Sequence, residues 1–194
     1  MKNSLLVVLL ALILLLGFEQ FSQTQTKPET PLSGQDKKPQ IIARQNNQTK
    51  TFAYDAGEAR FMASSEETNG AWATVELAEK PGYKTSIHRH NGMDEAYYVL
   101  EGVLTAKVAD KTYELPAGSY LVIPRGTPHA QGNFGKVPVK VLLTVTPGGF
   151  EGFFKDRIEL LKVMSPNNSE FGKKMDEIVG RYDLEVLSRW EIKK

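Results

Sequence analysis

The sequence predicts an all-β fold, a sandwich or barrel of short strands, followed by short C-terminal helices. Apolar and polar residues alternate with a period of two in several segments, which is the pattern of half-buried strands. Gly and Pro interrupt these segments at regular intervals, as in sandwiches and barrels. Beyond residue 147 the apolar spacing becomes helical. The length of 194 residues suits about one domain.

The strand pattern is clear in four places. The alternation over 71–77 predicts a half-buried strand. Tyr97–Leu100 and Val103–Val108 are β-prone runs separated by Glu-Gly, which predicts a hairpin. Ser119–Ile123 is a short run that ends at a proline, and Val137–Val145 alternates along one long strand. We therefore predict a β domain over residues 51–148.

The C-terminal segment has a different period. After Pro147-Gly148-Gly149, apolar residues recur at helical spacing in two groups. These groups are Phe154, Ile158 and Leu161, then Phe171, Met175, Ile178, Val179 and Tyr182. We predict that residues 149–194 form a helical extension that packs on the β domain.

The first residues are typical of a targeting segment. Lys2 precedes an unbroken run of twelve apolar residues, Leu5–Leu16, which is short of the roughly 20 needed to span a bilayer but fits the core of a signal peptide. No Ala-x-Ala cleavage site follows, so residues 1–22 are predicted to be a signal peptide or an N-terminal anchor. Residues 23–50 are rich in Gln, Thr, Lys, Pro and Asn, which predicts a flexible linker. We expect an exported protein, periplasmic or extracellular, or one anchored to the membrane by this segment.

Composition excludes several function classes. The 24 basic and 23 acidic residues leave a formal charge of +1, so the chain lacks the basic footprint of a nucleic-acid-binding protein. The absence of cysteine excludes disulfides, thiolate nucleophiles and Cys-ligated metal centres. The sequence also shows no nucleotide-binding loop and no Ser–His–Asp arrangement.

All three histidines fall in two short patches that also contain a glutamate. His88 and His90 are two residues apart, so on a strand both imidazoles leave the same face. Asn91-Gly92 is a tight-turn sequence, and a reversal there returns Glu95 to the two histidines. His129 comes from a separate strand after a Pro-x-Gly turn. An isolated histidine is usually a surface or hydrogen-bonded residue, but three imidazoles and a carboxylate together suit a divalent first-row metal.

These two patches resemble the two motifs of the cupin superfamily. Gly82 to Gly102 reads G-x5-H-x-H-x4-E-x6-G, and Gly118 to Asn133 reads G-x5-P-x-G-x2-H-x3-N. The segment Thr146–Phe154 looks like the barrel exit of quercetin-dioxygenase-like cupins. The resemblance implies a small antiparallel jelly-roll β-barrel over 51–148 and one metal ion inside it. It also implies the ligands His88, His90, Glu95 and His129, and it makes a homodimer plausible.

Three functions remain open, because cupins host many activities. The resemblance favours a dioxygenase-like oxidoreductase that acts on a small enol, catechol or flavonol, with Glu95 as both ligand and catalytic proton acceptor. The second is a non-redox isomerase or decarboxylase, in which the metal is a Lewis acid. The third is a barrel that binds a small ligand without turnover. Spacing does not separate Fe, Mn, Ni, Cu and Zn as the metal.

Five other residues stand near the motifs and are candidates for the border of the pocket. We expect wall or surface positions rather than catalytic roles for them. They are Tyr83, Arg89, Tyr97, Tyr98 and Arg125.

Overall fold

The computed structural model describes residues 40–45 and 48–191 and shows an antiparallel jelly roll with two short helices. The predicted all-β fold is confirmed. The strands are β1 (Thr51–Tyr54), β2 (Gly57–Ala63), β3 (Ala73–Glu79), β4 (Ile87–His90), β5 (Asp94–Glu101), β6 (Val103–Val108), β7 (Lys111–Pro116), β8 (Tyr120–Ile123), β9 (His129–Gly132), β10 (Val139–Thr146) and β11 (Leu184–Ser188). The helices are α1 (Glu151–Val163) and α2 (Phe171–Val179).

The strands form two sheets. One has the order β1-β2-β3-β10-β5-β8, and the other has the order β11-β4-β9-β6-β7. Consecutive strands from β3 to β6 change sheet at each connection, because β3 and β5 lie in the first sheet whereas β4 and β6 lie in the second. The two sequence patches that contain the histidines are thereby split between the two sheets.

The centre of the first sheet forms the main wall of the core. Along β3, buried and half-buried residues alternate from Ala73 to Glu79. Val75 and Leu77 are paired in register with Leu143 and Val141 of β10, and all four side chains are buried. Burying each such side chain contributes about 1.5–3 kcal/mol. This alternation places Glu79 on the same inward face as the apolar residues.

The predicted hairpin between Tyr97–Leu100 and Val103–Val108 is wrong. Both runs are strands, but β5 pairs with β10 and β8, whereas β6 pairs with β7 and β9. Gly102 joins them with a φ of +78°, and a Cβ there would lie 3.0 Å from the carbonyl oxygen of Pro138. Glycine is therefore needed where the chain crosses from one sheet to the other close to the backbone of Pro138. A pattern of two strands separated by Glu-Gly does not distinguish such a crossing from a hairpin turn.

Two predicted strands are displaced. The strand expected over 71–77 runs instead over Ala73–Glu79, because Ala71 still belongs to the preceding turn, where its N–H donates to the Thr68 carbonyl oxygen. The strand expected from Val137 starts at Val139. Val137 is 63% exposed, and the proline that follows it has no N–H to donate to a neighbouring strand.

The C-terminal extension contains a strand as well as helices. α1 and α2 cover the two predicted groups, except that Tyr182 lies beyond the end of α2. The strand β11 was not predicted. It pairs antiparallel with β4 so that Leu184 lies opposite His90 and Val186 opposite His88. The end of the chain thus joins the sheet that carries two of the candidate ligands.

The predicted signal peptide or anchor, residues 1–22, and most of the predicted linker, residues 23–50, lie outside the described residues. Within the part of the chain that the structure describes, no helix is both long enough and apolar enough to cross a membrane.

Candidate metal centre and its cavity

Four residues meet inside the barrel and form what we name the His/Glu cluster: His88, His90, Glu95 and His129. One potential ligand atom from each lies within 4.8 Å of the others. All four residues are buried. The structure therefore brings together every residue that the sequence predicts as a ligand, from strands β4, β5 and β9.

The local sequence explains how the cluster forms. His88 and His90 point to one face of β4 because they are two residues apart, and His88 is paired in register with His129 on β9. The turn at Asn91-Gly92 carries the chain to the other sheet rather than into a hairpin with β4. Glu95 consequently reaches the histidines from across the barrel, despite its odd offset from His90.

Backbone carbonyl groups orient all three imidazole rings. Nδ1 of His88 lies 2.8 Å from the Ser86 carbonyl oxygen, and Nδ1 of His129 lies 2.9 Å from that of Thr127. Nδ1 of His90 lies 3.2 Å from the carbonyl oxygen of Asp183, which directly precedes β11. A carbonyl oxygen only accepts, so Nδ1 of each ring carries a proton, and in the neutral imidazole, the form that binds a metal, Nε2 presents a lone pair. This is the arrangement that outer-shell partners impose on metal-binding histidines.

The inward nitrogen atoms have no hydrogen bond of their own. Nε2 of His90 lies 3.3 Å from one carboxylate oxygen of Glu95, and Nε2 of His129 lies 2.9 Å from the other. Neither contact has hydrogen-bond geometry. Among the described residues, both Nε2 atoms are therefore buried without a hydrogen-bond partner. Converging lone pairs and a carboxylate are costly to bury unless something satisfies them. The donor set fits a divalent transition metal.

The pKa shifts in the cluster follow from burial and close contact. Burial, and next the neighbouring His129, lower the pKa of His88 to about 4. Burial raises the pKa of Glu95, but the closely approaching His129 and His90 outweigh it and hold that pKa well below its ordinary range. Burial lowers the pKa of His129, and Glu95 raises it by more. A neutral His88 and an ionised Glu95 are the forms that ligate a metal.

The cluster opens onto a cavity of about 250 Å³. His88 and Glu95 form part of its wall, so the cluster faces the cavity through these two residues. The C-terminal segment adds Leu184 of β11, Phe153 and Phe154 of α1, and Phe150 directly before α1 to the wall. The Phe150 ring packs against that of His90, with ring centroids 4.6 Å apart. The aromatic wall consists of Tyr83, Tyr97, Phe150, Phe153 and Phe154. A small planar, largely apolar molecule is the ligand that such a surface suits.

The five pocket candidates divide into two groups. Tyr83 and Tyr97 line the cavity, and the Tyr97 hydroxyl donates to Glu95 Oε2 at 3.3 Å. The other three lie outside it. Arg89 pairs with Glu185 and Arg125 pairs with Asp94, while Tyr98 is 42% exposed.

Six polar residues of the cavity wall were not predicted from the sequence: Glu79, Lys84, Thr85, Ser86, Gln131 and Arg157. A clue existed for Glu79, since it continues the alternation of Val75 and Leu77 and so falls on the apolar face of β3. Gln131 follows His129 by two residues and shares its face of β9. Arg157 belongs to α1, and nothing in a helical period indicates that it reaches into the barrel.

Comparisons with known proteins agree with this architecture. Residues 75–145 match the Cupin_2 family of cupin domains. The chain is 38% identical over 66 residues to an uncharacterized protein of Methanocaldococcus jannaschii, a match that covers 34% of this chain and 53% of that protein. It is 28% identical over 96 residues to quercetin 2,3-dioxygenase of Bacillus subtilis, covering 50% of this chain and 28% of that protein. The chain thus spans about half, or less, of these relatives.

Solved structures share the fold at low sequence identity. KdgF from a Halomonas species is 17% identical, with a TM-score of 0.50, and the match covers 56% of this chain and 94% of that one. An RmlC-like cupin from Shewanella frigidimarina is 18% identical, with a TM-score of 0.51, and the match covers 58% and 96%. The match of residues 75–145 to the Cupin_2 family, together with the jelly-roll topology, shows that this chain contains a cupin domain.

Proposed function

We propose that this protein is an exported, mononuclear metal-binding cupin and a dioxygenase-like oxidoreductase that acts on a small enol or catechol. The observation that carries the proposal is the buried His/Glu cluster, whose two partnerless Nε2 atoms converge beside an aromatic cavity. The similarity to quercetin 2,3-dioxygenase over half of this chain supports the reaction class. The metal in this proposal is Fe, Mn, Ni or Cu, because zinc has no redox chemistry.

The residues around the cavity have separate tasks in this proposal. When bound, a redox-active metal supplies Lewis acidity to an enol or phenol oxygen and electron transfer with dioxygen, both of whose atoms enter the product. Glu95 accepts the proton that the substrate hydroxyl loses, and the Tyr97 hydroxyl, 3.3 Å away, holds that carboxylate in place. The phenylalanines of α1 exclude water and stack on the conjugated ring.

The cavity volume narrows the substrate class. About 250 Å³ is below the roughly 300–1,000 Å³ of pockets that hold drug-sized ligands. A one-ring catechol or a short enol suits this volume better than a three-ring flavonol. Residues from α1, α2 and β11 line the cavity, so the C-terminal extension restricts its size.

The export part of the proposal rests on the N-terminal sequence alone. Lys2 and the apolar run Leu5–Leu16 have the composition of a signal peptide. Expression of the full chain in a bacterial host, followed by fractionation, tests it. We expect the protein outside the cytoplasm, with the mass of either a processed or a retained N-terminus. Recovery of the full-length chain from the cytoplasm alone would contradict export.

Metal content and oxygen consumption test the reaction class. The protein is purified without chelators or added metal, its metal is identified by mass spectrometry, and oxygen uptake is followed with catechol and simple enols. We expect about one redox-active metal per chain and substrate-dependent oxygen uptake. Zinc with oxygen-independent turnover would replace the proposal with a Lewis-acid isomerase or decarboxylase. Tight ligand binding without turnover would replace it with a binding barrel.

A further inference from the structure

A second buried carboxyl group lies in the cavity, outside the His/Glu cluster. Glu79 is 1% exposed and belongs to the cavity wall. Its Oε1 accepts a hydrogen bond from Gln131 Nε2 at 3.2 Å. Its Oε2 is buried and has no hydrogen-bond partner within residues 40–45 and 48–191. Leaving a buried carboxyl oxygen unsatisfied costs about 1–3 kcal/mol, so a ligand that donates a hydrogen bond to it gains affinity.

The backbone at Glu79 is held firmly. Nδ2 of Asn133 donates to the Glu79 carbonyl oxygen at 2.9 Å and to that of Val137 at 2.8 Å. Oδ1 of Asn133 accepts from the Gly135 N–H at 2.9 Å. Asn133, the last residue of the second sequence motif, therefore fixes the end of β3. The Glu79 side chain projects from a rigid position, as a binding group requires.

Two basic residues of the cavity wall hydrogen-bond to groups other than Glu79. Nζ of Lys84 donates to the Trp190 carbonyl oxygen at 2.6 Å. Arg157 also lines the cavity, but its guanidinium donates to Asp55 Oδ2 at 2.8 Å and to the Tyr83 hydroxyl. Burial raises the pKa of Glu79 to about 7, against the opposing effects of Gln131 and Arg157. Glu79 therefore exchanges its proton near neutral pH, and both forms of its carboxyl group are able to hydrogen-bond a hydroxyl.

The position of Glu79 relative to the cluster follows from β9. Gln131, which donates to Glu79, follows His129 by two residues on the same face of that strand. Two strand steps separate their Cα atoms by about 6.6 Å. Glu79 and His88 line one continuous cavity. The cavity thus has a metal end and a carboxyl end.

We propose that Glu79 forms a second polar subsite, which binds a hydroxyl group on the side of the ligand remote from its metal-binding oxygen atoms. The subsite rests on the proposed function, because it assumes that the cavity holds the substrate. It deepens that function by specifying the substrate class: a single ring, or a conjugated enol of similar size, with a hydroxyl beyond the chelating pair. Five aromatic side chains line the same cavity, which suits the apolar ring of such a molecule.

Two probes that differ by one hydroxyl test the subsite. Catechol and 1,2,4-trihydroxybenzene are titrated calorimetrically, without oxygen, into the protein as purified with its metal. Because a hydrogen bond to a charged group is comparatively strong, we expect the trihydroxy probe to bind at least about 10-fold more tightly than catechol. Glu79→Met removes the acceptor and is expected to bring the affinity ratio to about one, while catechol affinity changes little.

Matched variants keep the result interpretable. Glu58→Met is the same change on the exposed side of β2, opposite Ala78 of β3, and should keep the wild-type ratio. If Glu79→Met does not fold, Glu79→Gln keeps the shape and a neutral acceptor and should reduce the ratio without abolishing it. An equal affinity of wild type for both probes, binding of neither probe, or a ratio unchanged in the Glu79 variants would overturn the subsite. A Glu79-dependent ratio without oxygen uptake would preserve the subsite and refute the oxidoreductase.

Discussion

Glu95 and Glu79 are both fully buried carboxyl groups in one cavity, yet their pKa values move in opposite directions. Burial raises both. At Glu95 the adjoining His129 and His90 outweigh burial and lower the pKa well below its ordinary range. At Glu79 burial prevails over Gln131 and Arg157 and raises the pKa to about 7. The partners of each carboxyl group, rather than its depth, decide its charge at neutral pH.

This difference assigns the two residues different chemistry. A carboxyl group that stays ionised between imidazoles is suited to hold a cation. A carboxyl group that titrates near neutrality, with one oxygen atom unsatisfied, is suited to hydrogen-bond a neutral ligand. The two strands that carry them both pair with β10, so one sheet supplies both ends of the cavity.

Loss of a cluster residue is expected to have the largest effect. Alanine at His88, His90 or His129, or Glu95→Gln, removes a ligand and should weaken metal binding by at least about 100-fold, since even outer-shell changes cost about 10–100-fold. Glu79→Gln is the matched change at the other carboxyl and should leave metal content at the wild-type level. Metal analysis measures the metal content of each variant, and competitive chelator titration measures its metal affinity.

Folding of these variants is checked by circular dichroism, since an unfolded barrel also loses metal. A folded histidine variant that retains full metal occupancy would exclude that residue as a ligand. A folded Glu79→Gln protein that loses its metal would show that the two ends of the cavity are not chemically separate.

Glu79 is expected to make stability depend on pH with the opposite sign to an ordinary ion-paired carboxylate. The folded state keeps the proton up to a pKa of about 7, whereas the ordinary value is 4.5. Between these pH values the folded state binds more protons, so the free energy of unfolding falls as pH rises and levels off above pH 7. This pKa shift corresponds to a decrease of up to about 3 kcal/mol in the free energy of unfolding. Urea unfolding from pH 4 to pH 8 measures it.

The difference in the free energy of unfolding between wild type and Glu79→Gln isolates the contribution of this carboxyl group, because the cluster residues titrate in both proteins. The groups facing Glu79 keep their charge across the window. Burial raises the pKa of Tyr83 to about 12 and those of Tyr54 and Tyr97 well above 10, while Tyr83 and Asp55 raise that of Arg157 further. A difference that does not change with pH would show that Glu79 has the same pKa in the folded and the unfolded protein.

The barrel and the His/Glu cluster could be foreseen because both depend on local patterns. Period-two alternation marks β3 and β10 whatever their partners are, and His-x-His places two imidazoles on one face of a strand. Glu95 needed the turn at Asn91-Gly92, which is visible in the sequence. What the chain does after the turn was not visible, because a turn does not specify which sheet the next strand joins.

The remaining features depend on distant parts of the chain. β11 was not predicted because Leu184–Ser188 is short and carries exposed residues; it is a strand because β4 offers an edge. Arg157 was not predicted as a cavity residue because its partner Asp55 is 102 residues away. The position of Arg157 in the cavity wall therefore depends on how helix α1 packs against the barrel, which its own sequence does not specify.

The link between β11 and the metal end predicts a smaller effect at Asp183. Its carboxylate accepts from the Gly92 N–H, its carbonyl oxygen meets His90 Nδ1 at 3.2 Å, and its φ is +50°. Asp183→Ala loses the side-chain acceptor and strains the backbone, which should cost about 1–2 kcal/mol. A displaced carbonyl oxygen should weaken metal binding by about 10-fold. Thermal unfolding and chelator titration measure the two effects.

Asp183→Asn is the control for this change, because asparagine tolerates a positive φ and retains a side-chain acceptor. It should keep most of the metal affinity that Asp183→Ala loses. Equal metal affinity in wild type and Asp183→Ala would show that His90 is oriented without help from the C-terminal segment, and that β11 serves the cavity wall alone.

The smallest effect is expected at the neighbouring ion pair between Arg89 and Glu185. It joins β4 to β11, but Arg89 Nε and Glu185 Oε2, 2.8 Å apart, belong to side chains that are 38% and 45% exposed. Solvent and salt screen such a pair. Glu185→Ala should therefore leave metal affinity and melting temperature unchanged within error, at low and at high salt. A loss of metal in Glu185→Ala as large as that in Asp183→Ala would mean that β11 acts on His90 through strand pairing as a whole rather than through the single carbonyl group at residue 183.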